Sequence, residues 1–325
     1  MLEFAHFYEQ HLSNMGSFFT AAHLTHRDVL MSPFRTFSLS KKRRNLVLAL
    51  TSLPLAAIAN PTSGNADFAA LEQDLRGDLG VVAIDSATGR TVGYRQEQRF
   101  PMCSTFKVVL AAAILAQTDT MQDLIDRRLL LLKDRFVDYS PITGKHVDRE
   151  MSIAELCAAA LQYSDNTAGN TLLRELGGPA ELTRYARALG DARFRLDRWE
   201  TELNTATPSD ERDTTTPLAM ARTLQKLLLL DGLPPAQQIQ LRDWMLGNTT
   251  GNARIRAAIP AGWKVADKTG TGGYGSANDV AVIYPPDRAP IVLAIYTRQS
   301  ARNADTRNDI IVQAAKIALG SINHM

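Results

Sequence analysis

Strand patterns occur near both ends of this chain, and a long stretch of helical periodicity separates them. Residues 79–85 read as a strand, 87–90 as a turn and 91–94 as its partner; the pattern returns only at 263–268, 279–284 and 291–297. Pro285-Pro286-Asp287-Arg288 supplies the turn between the last two. Neither set buries both of its faces alone, so the two ends must meet in one sheet. Between them, apolar residues recur at helical spacing over 108–116, 121–132, 153–161, 168–176, 179–189, 217–229 and 235–245, with no convincing strand. Helices are also predicted over 67–76, stopped by Gly77, and over 309–319. The expected fold is α/β in the α+β sense, with an antiparallel sheet flanked by helices. Residues 60–98 and 250–325 form a discontinuous α/β part, and 99–249 an inserted all-helical part. A groove between two such parts is a common place for a site.

Residues 1–59 stand apart. Lys41-Lys42-Arg43-Arg44 precedes a short, interrupted apolar run, and small residues stand at Ala57 and Ala59. This is the pattern of a signal peptide cleaved after Ala59, too short for a membrane span and without a following Cys to take a lipid anchor. Arg43-Arg44 leaves the twin-arginine and general export routes both open. Met31 offers a second start, so residues 1–30 read as an over-extended start or a long n-region. The expected location is periplasmic. Of 36 basic and 34 acidic residues the leader takes six and three, so the remainder is near neutral and offers no electrostatic case for nucleic acid. Two cysteines, Cys103 and Cys157, are too few for a disulfide scaffold. After the leader only His146 and His324 remain, which argues against a Ser-His-Asp triad and a His-rich zinc site.

The chemistry starts at Pro101-Met102-Cys103-Ser104-Thr105-Phe106-Lys107, followed by an apolar run. Ser104 is expected at or near a helix N-cap, where its side chain satisfies free backbone N–H groups. Ser104 and Lys107 then share a face. A hydroxyl is a poor nucleophile at its own pKa, and a Lys held in a dry pocket can lose its proton to activate it. The helix start adds N–H donors and positive potential where an oxyanion would form. Taken alone, the pattern also fits a capping Ser beside a solvated Lys. Ser164-Asp165-Asn166 alone would be a turn or cap, and Lys268-Thr269-Gly270 a solvated strand end. Residues 195–213 are poor in apolar side chains and read as a long loop, a feature that is usually functional in a compact domain.

Together and in order, Ser104-Thr105-Phe106-Lys107, Ser164-Asp165-Asn166, the segment Arg198-Trp199-Glu200-Thr201-Glu202-Leu203-Asn204 and Lys268-Thr269-Gly270 resemble the class A serine β-lactamases, over about residues 68–319. The resemblance implies hydrolysis of the β-lactam amide of penicillins and cephalosporins through a serine acyl-enzyme, and hence β-lactam resistance. It makes Ser104 the nucleophile, Lys107 its neighbour, and the backbone N–H groups of Ser104 and Thr271 the oxyanion hole. Ser164 would relay a proton to the leaving nitrogen with Lys268 beside it, and Asn166 would bind the substrate's side-chain amide and brace Lys107. In an Ω-shaped loop tied at its neck by Arg198 and Asp213, Glu200 would hold the deacylating water and Asn204 would orient it. Tyr139 matches an aromatic gate. Thr269, Gly270, Thr271 and Arg254 would meet the substrate, Arg254 and Thr271 at its carboxylate. A surface Arg254 beside Arg256 is the alternative. Lys107 and Glu200 both stay open as the acylation base. No cofactor or metal is implied, and the expected state is a monomer acting on small β-lactams.

Three departures matter. Thr201 stands where many relatives have Pro, leaving the geometry of the Glu200–Thr201 bond open. The family's disulfide partner for Cys157 is Ala111 here, and that for Cys103 is Gly272. Both bridges are therefore expected to be absent, which argues against strong carbapenem hydrolysis and leaves extended cephalosporin activity open. The rival readings are a penicillin-binding DD-peptidase and a β-lactam-sensing domain that acylates once. Glu200 with Asn204 argues against the first, which lacks an efficient deacylating carboxylate; the second would normally be joined to a membrane span or effector domain, and no such segment is expected after Ala59.

Overall fold

The computed structural model describes residues 63–323. The leader, its cleavage site and the start codon fall outside the described residues. Five strands form one antiparallel sheet in the order β2-β1-β9-β8-β7: β1 (Gly77–Asp85), β2 (Thr91–Tyr94), β7 (Lys264–Thr271), β8 (Ala277–Tyr284) and β9 (Ile291–Gln299). The two ends of the chain meet where β1 pairs with β9, Val81 opposite Ile295. Two cores cover the sheet, and consecutive strand residues alternate between them. Val82, Val280, Val282, Val292 and Ala294 face one core, while Val81, Ala83, Ala281, Ile283, Leu293 and Ile295 face the other. Burial on both faces explains why these strands read as continuous apolar runs.

The second core is closed by α1 (Ser63–Leu75) and α8 (Asn308–Asn323), through Phe68, Leu71, Ile310 and Ala314. The first is closed by α2 (Phe106–Gln117), α3 (Ile153–Gln162), α4 (Asn166–Leu176), α5 (Pro179–Ala188), α6 (Pro217–Leu229) and α7 (Pro235–Leu246). Every residue of α2 from Phe106 to Leu115 is buried, including Lys107, so this helix is the axis of that core. Local chemistry sets the helix ends. Ser152 and Glu155 form a capping box on α3, Asp165 caps α4, and Thr216 with Pro217 opens α6. Gly177 ends α4 at φ 101°, a left-handed conformation that glycine adopts without a Cβ penalty.

Two expectations are overturned. Residues 121–132 are not an α-helix; they hold a 3₁₀ turn at Leu124–Asp126 and then β4 (Arg128–Leu130), paired with β5 (Glu150–Ser152). The apolar residues there do not share a face, since Leu124 and Leu131 are buried while Met121 and Leu130 are exposed. The stretch 99–249 also contains β3 (Phe100–Pro101) paired with β6 (Thr214–Thr215). Strands of two or three residues are too short to show a period.

Candidate active site

Ser104 lies in a 3₁₀ turn, Cys103–Thr105, that leads into α2, and its side chain makes no capping bond. The expected N-cap role is therefore not taken, and the hydroxyl is left for other partners. The turn is pinned from below: Thr105 Oγ1 donates to Met102 O at 2.8 Å, and Asn278 Nδ2 donates to Pro101 O at 2.8 Å. Strand β7 comes close beside it at Gly270, where a Cβ would sit 2.7 Å from Met102 O. Only glycine permits that approach.

Lys107 Nζ donates to Ser104 Oγ at 2.9 Å, to Ser164 O at 2.8 Å and to Asn166 Oδ1 at 2.7 Å, and it lies 2.9 Å from Glu200 Oε1. Ser104 Oγ in turn donates to the same Glu200 oxygen at 3.1 Å. Both candidate bases thus touch the hydroxyl. Burial pushes the Lys107 pKa below the ordinary lysine range, and the Glu200 charge pulls against that shift. Lys268, buried within β7 and not a solvated strand end, donates to Ser164 Oγ at 2.9 Å. Its pKa lies well below the ordinary range, first through burial and then through repulsion by Lys107.

Within Ser164-Asp165-Asn166 the labour is divided. Asp165 is structural: its carboxylate accepts from the N–H groups of Ala168, Ile142 and Thr143. Ser164, at φ 58°, and Asn166 face the site from either side of it. Asn166 Nδ2 donates to Asp138 O, which fixes Oδ1 toward Lys107.

Glu200 arrives on the loop of residues 195–213. Arg198 Nε meets Asp213 Oδ2 at 2.5 Å, and Asp213 Oδ1 accepts from the N–H groups of Asp197 and Arg198. The Glu200–Thr201 peptide bond is cis. Asn170, which sequence reasoning missed, holds Glu200 by both backbone groups: Oδ1 accepts from Glu200 N at 2.9 Å and Nδ2 donates to Glu200 O at 2.8 Å. Its position four residues after Asn166 on one helix face was the available signal. Asn204 Nδ2 donates to Glu200 Oε2 at 2.5 Å, and Asn204 Oδ1 is buried with no partner among the described residues.

Above these groups opens a pocket of about 350 Å³ lined by Ser104, Tyr139, Ser164, Asn166, Asn204, Thr250, Arg254, Thr269 and Thr271. Tyr139 is exposed at its rim. Arg254 is buried, which overturns the surface-charge alternative. Its guanidinium donates to Gly270 O, Asn278 O, Thr271 Oγ1 and Asn308 Oδ1, so its position is set by β7, β8 and α8. Arg256 instead pairs with Asp267. Thr250 and Asn308 had no signal in the sequence; each enters only through contacts across the fold. Cys103 and Cys157 are free and buried, and burial raises the Cys103 thiol to about 12. A Cβ on Gly272 would lie 2.7 Å from Cys103 Sγ, so position 272 does adjoin Cys103.

Comparison with known proteins identifies the family. Residues 65–322 match the model of the β-lactamase enzyme family. The chain is 51% identical over 285 residues to the carbapenem-hydrolysing β-lactamase KPC of Klebsiella oxytoca, covering 86% of this chain and 97% of that one. It is 51% identical over 270 residues to β-lactamase CTX-M-8 of Citrobacter amalonaticus, covering 83% and 92%. The crystal structure of a β-lactamase from Desulfarculus baarsii superposes with a TM-score of 0.79 at 53% identity, covering 81% of this chain and 98% of that one. With the serine–lysine–glutamate cluster in place and the match spanning nearly all described residues, the chain belongs to the class A serine β-lactamase family.

Proposed function

We propose that the enzyme opens penicillins and cephalosporins in two acyl-transfer steps at Ser104. The observation that carries this is the double contact of the Glu200 carboxylate, one oxygen on Ser104 Oγ and the other on Asn204 Nδ2. In acylation, Ser104 Oγ attacks the lactam carbonyl carbon and its proton passes to Glu200. Hydrogen-bond directions favour Glu200 as the acceptor. Besides Ser104, Lys107 Nζ faces a backbone carbonyl, an amide oxygen and a carboxylate, none of which can donate to it. That surrounding suits an ammonium. The backbone N–H groups of Ser104 and Thr271 would receive the oxyanion, each worth about 3 kcal/mol. The C–N bond breaks, Ser164 beside Lys268 gives its proton to the ring nitrogen, and the proton held by Glu200 would pass through Lys107 to refill Ser164, so that Glu200 is ionised again before the second step.

In deacylation, a water between Glu200 and the partnerless Asn204 Oδ1 would give its proton to Glu200 and attack the ester, and Ser104 would leave with the proton returned. Asn166 would hold the substrate's side-chain amide, Tyr139 would flank it, and Thr269, Thr271 and Arg254 would face its carboxylate. On this reading the groove lies between the part built from residues 60–98 and 250–325 and the part built from 99–249. The pocket supports that division, since it takes Thr250, Arg254, Thr269 and Thr271 from one and the rest of its lining from the other. The leader supports export to the periplasm, where the mature chain would act as a monomer without an anchor. The free cysteines support weak rather than strong carbapenem hydrolysis.

The test is intact-protein mass spectrometry of residues 60–325 mixed with benzylpenicillin, for wild type and Glu200→Ala, with product quantified. Fast product release by wild type is expected, and a persistent adduct on the variant, where Lys107 beside Ser104 Oγ can still serve the slower acylation but no carboxylate remains for deacylation. A long-lived adduct on wild type with little product would favour the DD-peptidase or sensor reading instead.

A further inference from the structure

The Thr269 hydroxyl stands at one end of a partly buried hydrogen-bond chain that ends in a charged pair. Arg256 Nε donates to Asp267 Oδ1 at 2.6 Å, and Asn248 Nδ2 donates to Asp267 Oδ2 at 2.6 Å. The other amide atom of Asn248 receives the backbone N–H of Thr250 at 3.0 Å, so it is the oxygen. Thr250 Oγ1 donates to that same oxygen at 2.8 Å, which uses its single hydroxyl hydrogen. Thr250 Oγ1 nevertheless lies 2.5 Å from Thr269 Oγ1. A contact that short requires a hydrogen between the oxygens, and the only one left is that of Thr269. Thr269 therefore turns lone pairs toward the pocket.

Two residues along β7, and on the same strand face, Thr271 is wired the opposite way. Its Oγ1 accepts from Arg254 Nη2 at 2.8 Å, and among the described residues nothing takes its own hydrogen. Thr271 is thus ready to donate to an anion and Thr269 is not.

We propose that Thr250 is a positioning residue that withholds the Thr269 hydrogen from the substrate carboxylate. A bound carboxylate is held by Thr271 and the Arg254 charge, and gains Thr269 only when Thr250 swings its hydroxyl from Asn248 to Thr269. The Asn248–Asp267–Arg256 chain biases that hydroxyl against swinging, and so sets how strongly the site holds a carboxylate. This rests on the proposed placement of the carboxylate against Thr269 and Thr271.

The test is equilibrium binding of benzylpenicillin, and of its methyl ester, to the Ser104→Ala protein, where no acylation intervenes. Thr250→Val removes the competing acceptor and keeps the shape, and should tighten benzylpenicillin binding about tenfold or more, the scale of one hydrogen bond to a charged group. Thr250→Ser should restore the unmodified affinity, and the methyl ester should respond less than the acid. If Thr250→Val does not fold, Thr250→Ala should show the same tightening. Unchanged or weaker binding in the folded variant, or equal gains for acid and ester, would overturn the proposal. Turnover of benzylpenicillin by the wild-type protein is measured beside it. Turnover with no tightening overturns this inference alone, and absence of turnover overturns it together with the reading on which it rests.

Discussion

Lys107 Nζ and Glu200 Oε1 lie 2.9 Å apart, and neither side chain has any solvent exposure. Two opposite charges in that setting depend on each other, because removing one leaves the other buried and uncompensated. The Lys107 pKa is lowered by burial and raised by the Glu200 charge, so neutralising Glu200 removes only the opposing effect. Glu200→Gln should therefore lower the Lys107 pKa further. NMR titration of the Cε-labelled lysine in both proteins checks this, and an unchanged or raised value would contradict it.

Ser104→Ala should abolish turnover, by about a thousandfold or more, because no other hydroxyl replaces the attacking atom. Spectrophotometric hydrolysis of benzylpenicillin measures it. Normal turnover by the variant would end the serine mechanism.

Asn170→Ala should act through Glu200. The substitution leaves the Glu200 N–H and C=O without their partners, costing about 2–4 kcal/mol for two buried groups. These bonds place the carboxylate, and Lys107 beside Ser104 Oγ can stand in for it in acylation but not in deacylation, so deacylation should slow more than acylation. Single-turnover kinetics would then show acyl-enzyme accumulating, and equal slowing of both steps would count against this role.

Asp213→Ala should loosen the loop that carries Glu200. It takes one carboxylate from Arg198, which keeps Asp210 and Thr205, and leaves the backbone N–H groups of Asp197 and Arg198 without their acceptor, at a cost of about 3 kcal/mol. Urea unfolding gives the stability change, and faster amide exchange over residues 197–205 than in wild type is expected with it. A variant as stable as wild type would show that the pair contributes nothing.

Asp279 supplies a pH prediction. It is fully buried, one oxygen accepts from Ile255 N, and the other has no partner among the described residues. Burial first, and then the Asp267 charge, hold its carboxyl well above the usual carboxylate range. Its folded pKa is raised, so above the ordinary carboxylate pKa the folded protein keeps a proton that the unfolded chain releases. Wild-type stability from this group is present at low pH and falls as pH rises through that window. Asp279→Asn does not titrate, so its stability relative to wild type should be higher at pH 8 than at pH 5. Equal differences at the two pH values, by urea unfolding, would refute the shift.

Much of this was legible in the chain itself. Residues 217–229 form a helix at the predicted bounds because Thr216 and Pro217 start it and an apolar stripe holds it. The order of the four motifs pointed to hydroxyl, amine and carboxylate side chains that the fold gathers around one pocket. The meeting of the two strand sets followed from their unburied faces. Other features were not legible. Apolar spacing over residues 121–132 suggested a helix, and pairing of β4 with β5 overrode it.

Ser104 and Glu200 are 96 positions apart, and only the packed loop brings them to 3.1 Å. Arg254 reads as one of two neighbouring charges until β7 and β8 bury it. Thr250 carries no local mark at all, yet its oxygen decides where the Thr269 hydrogen points. Sequence determines which elements form and which reactive groups are present, because periodicity, capping and side-chain chemistry act over a few residues. Tertiary structure alone decides distances between remote segments, burial, proton affinity and hydrogen-bond direction, because each depends on what every neighbouring element places around the group.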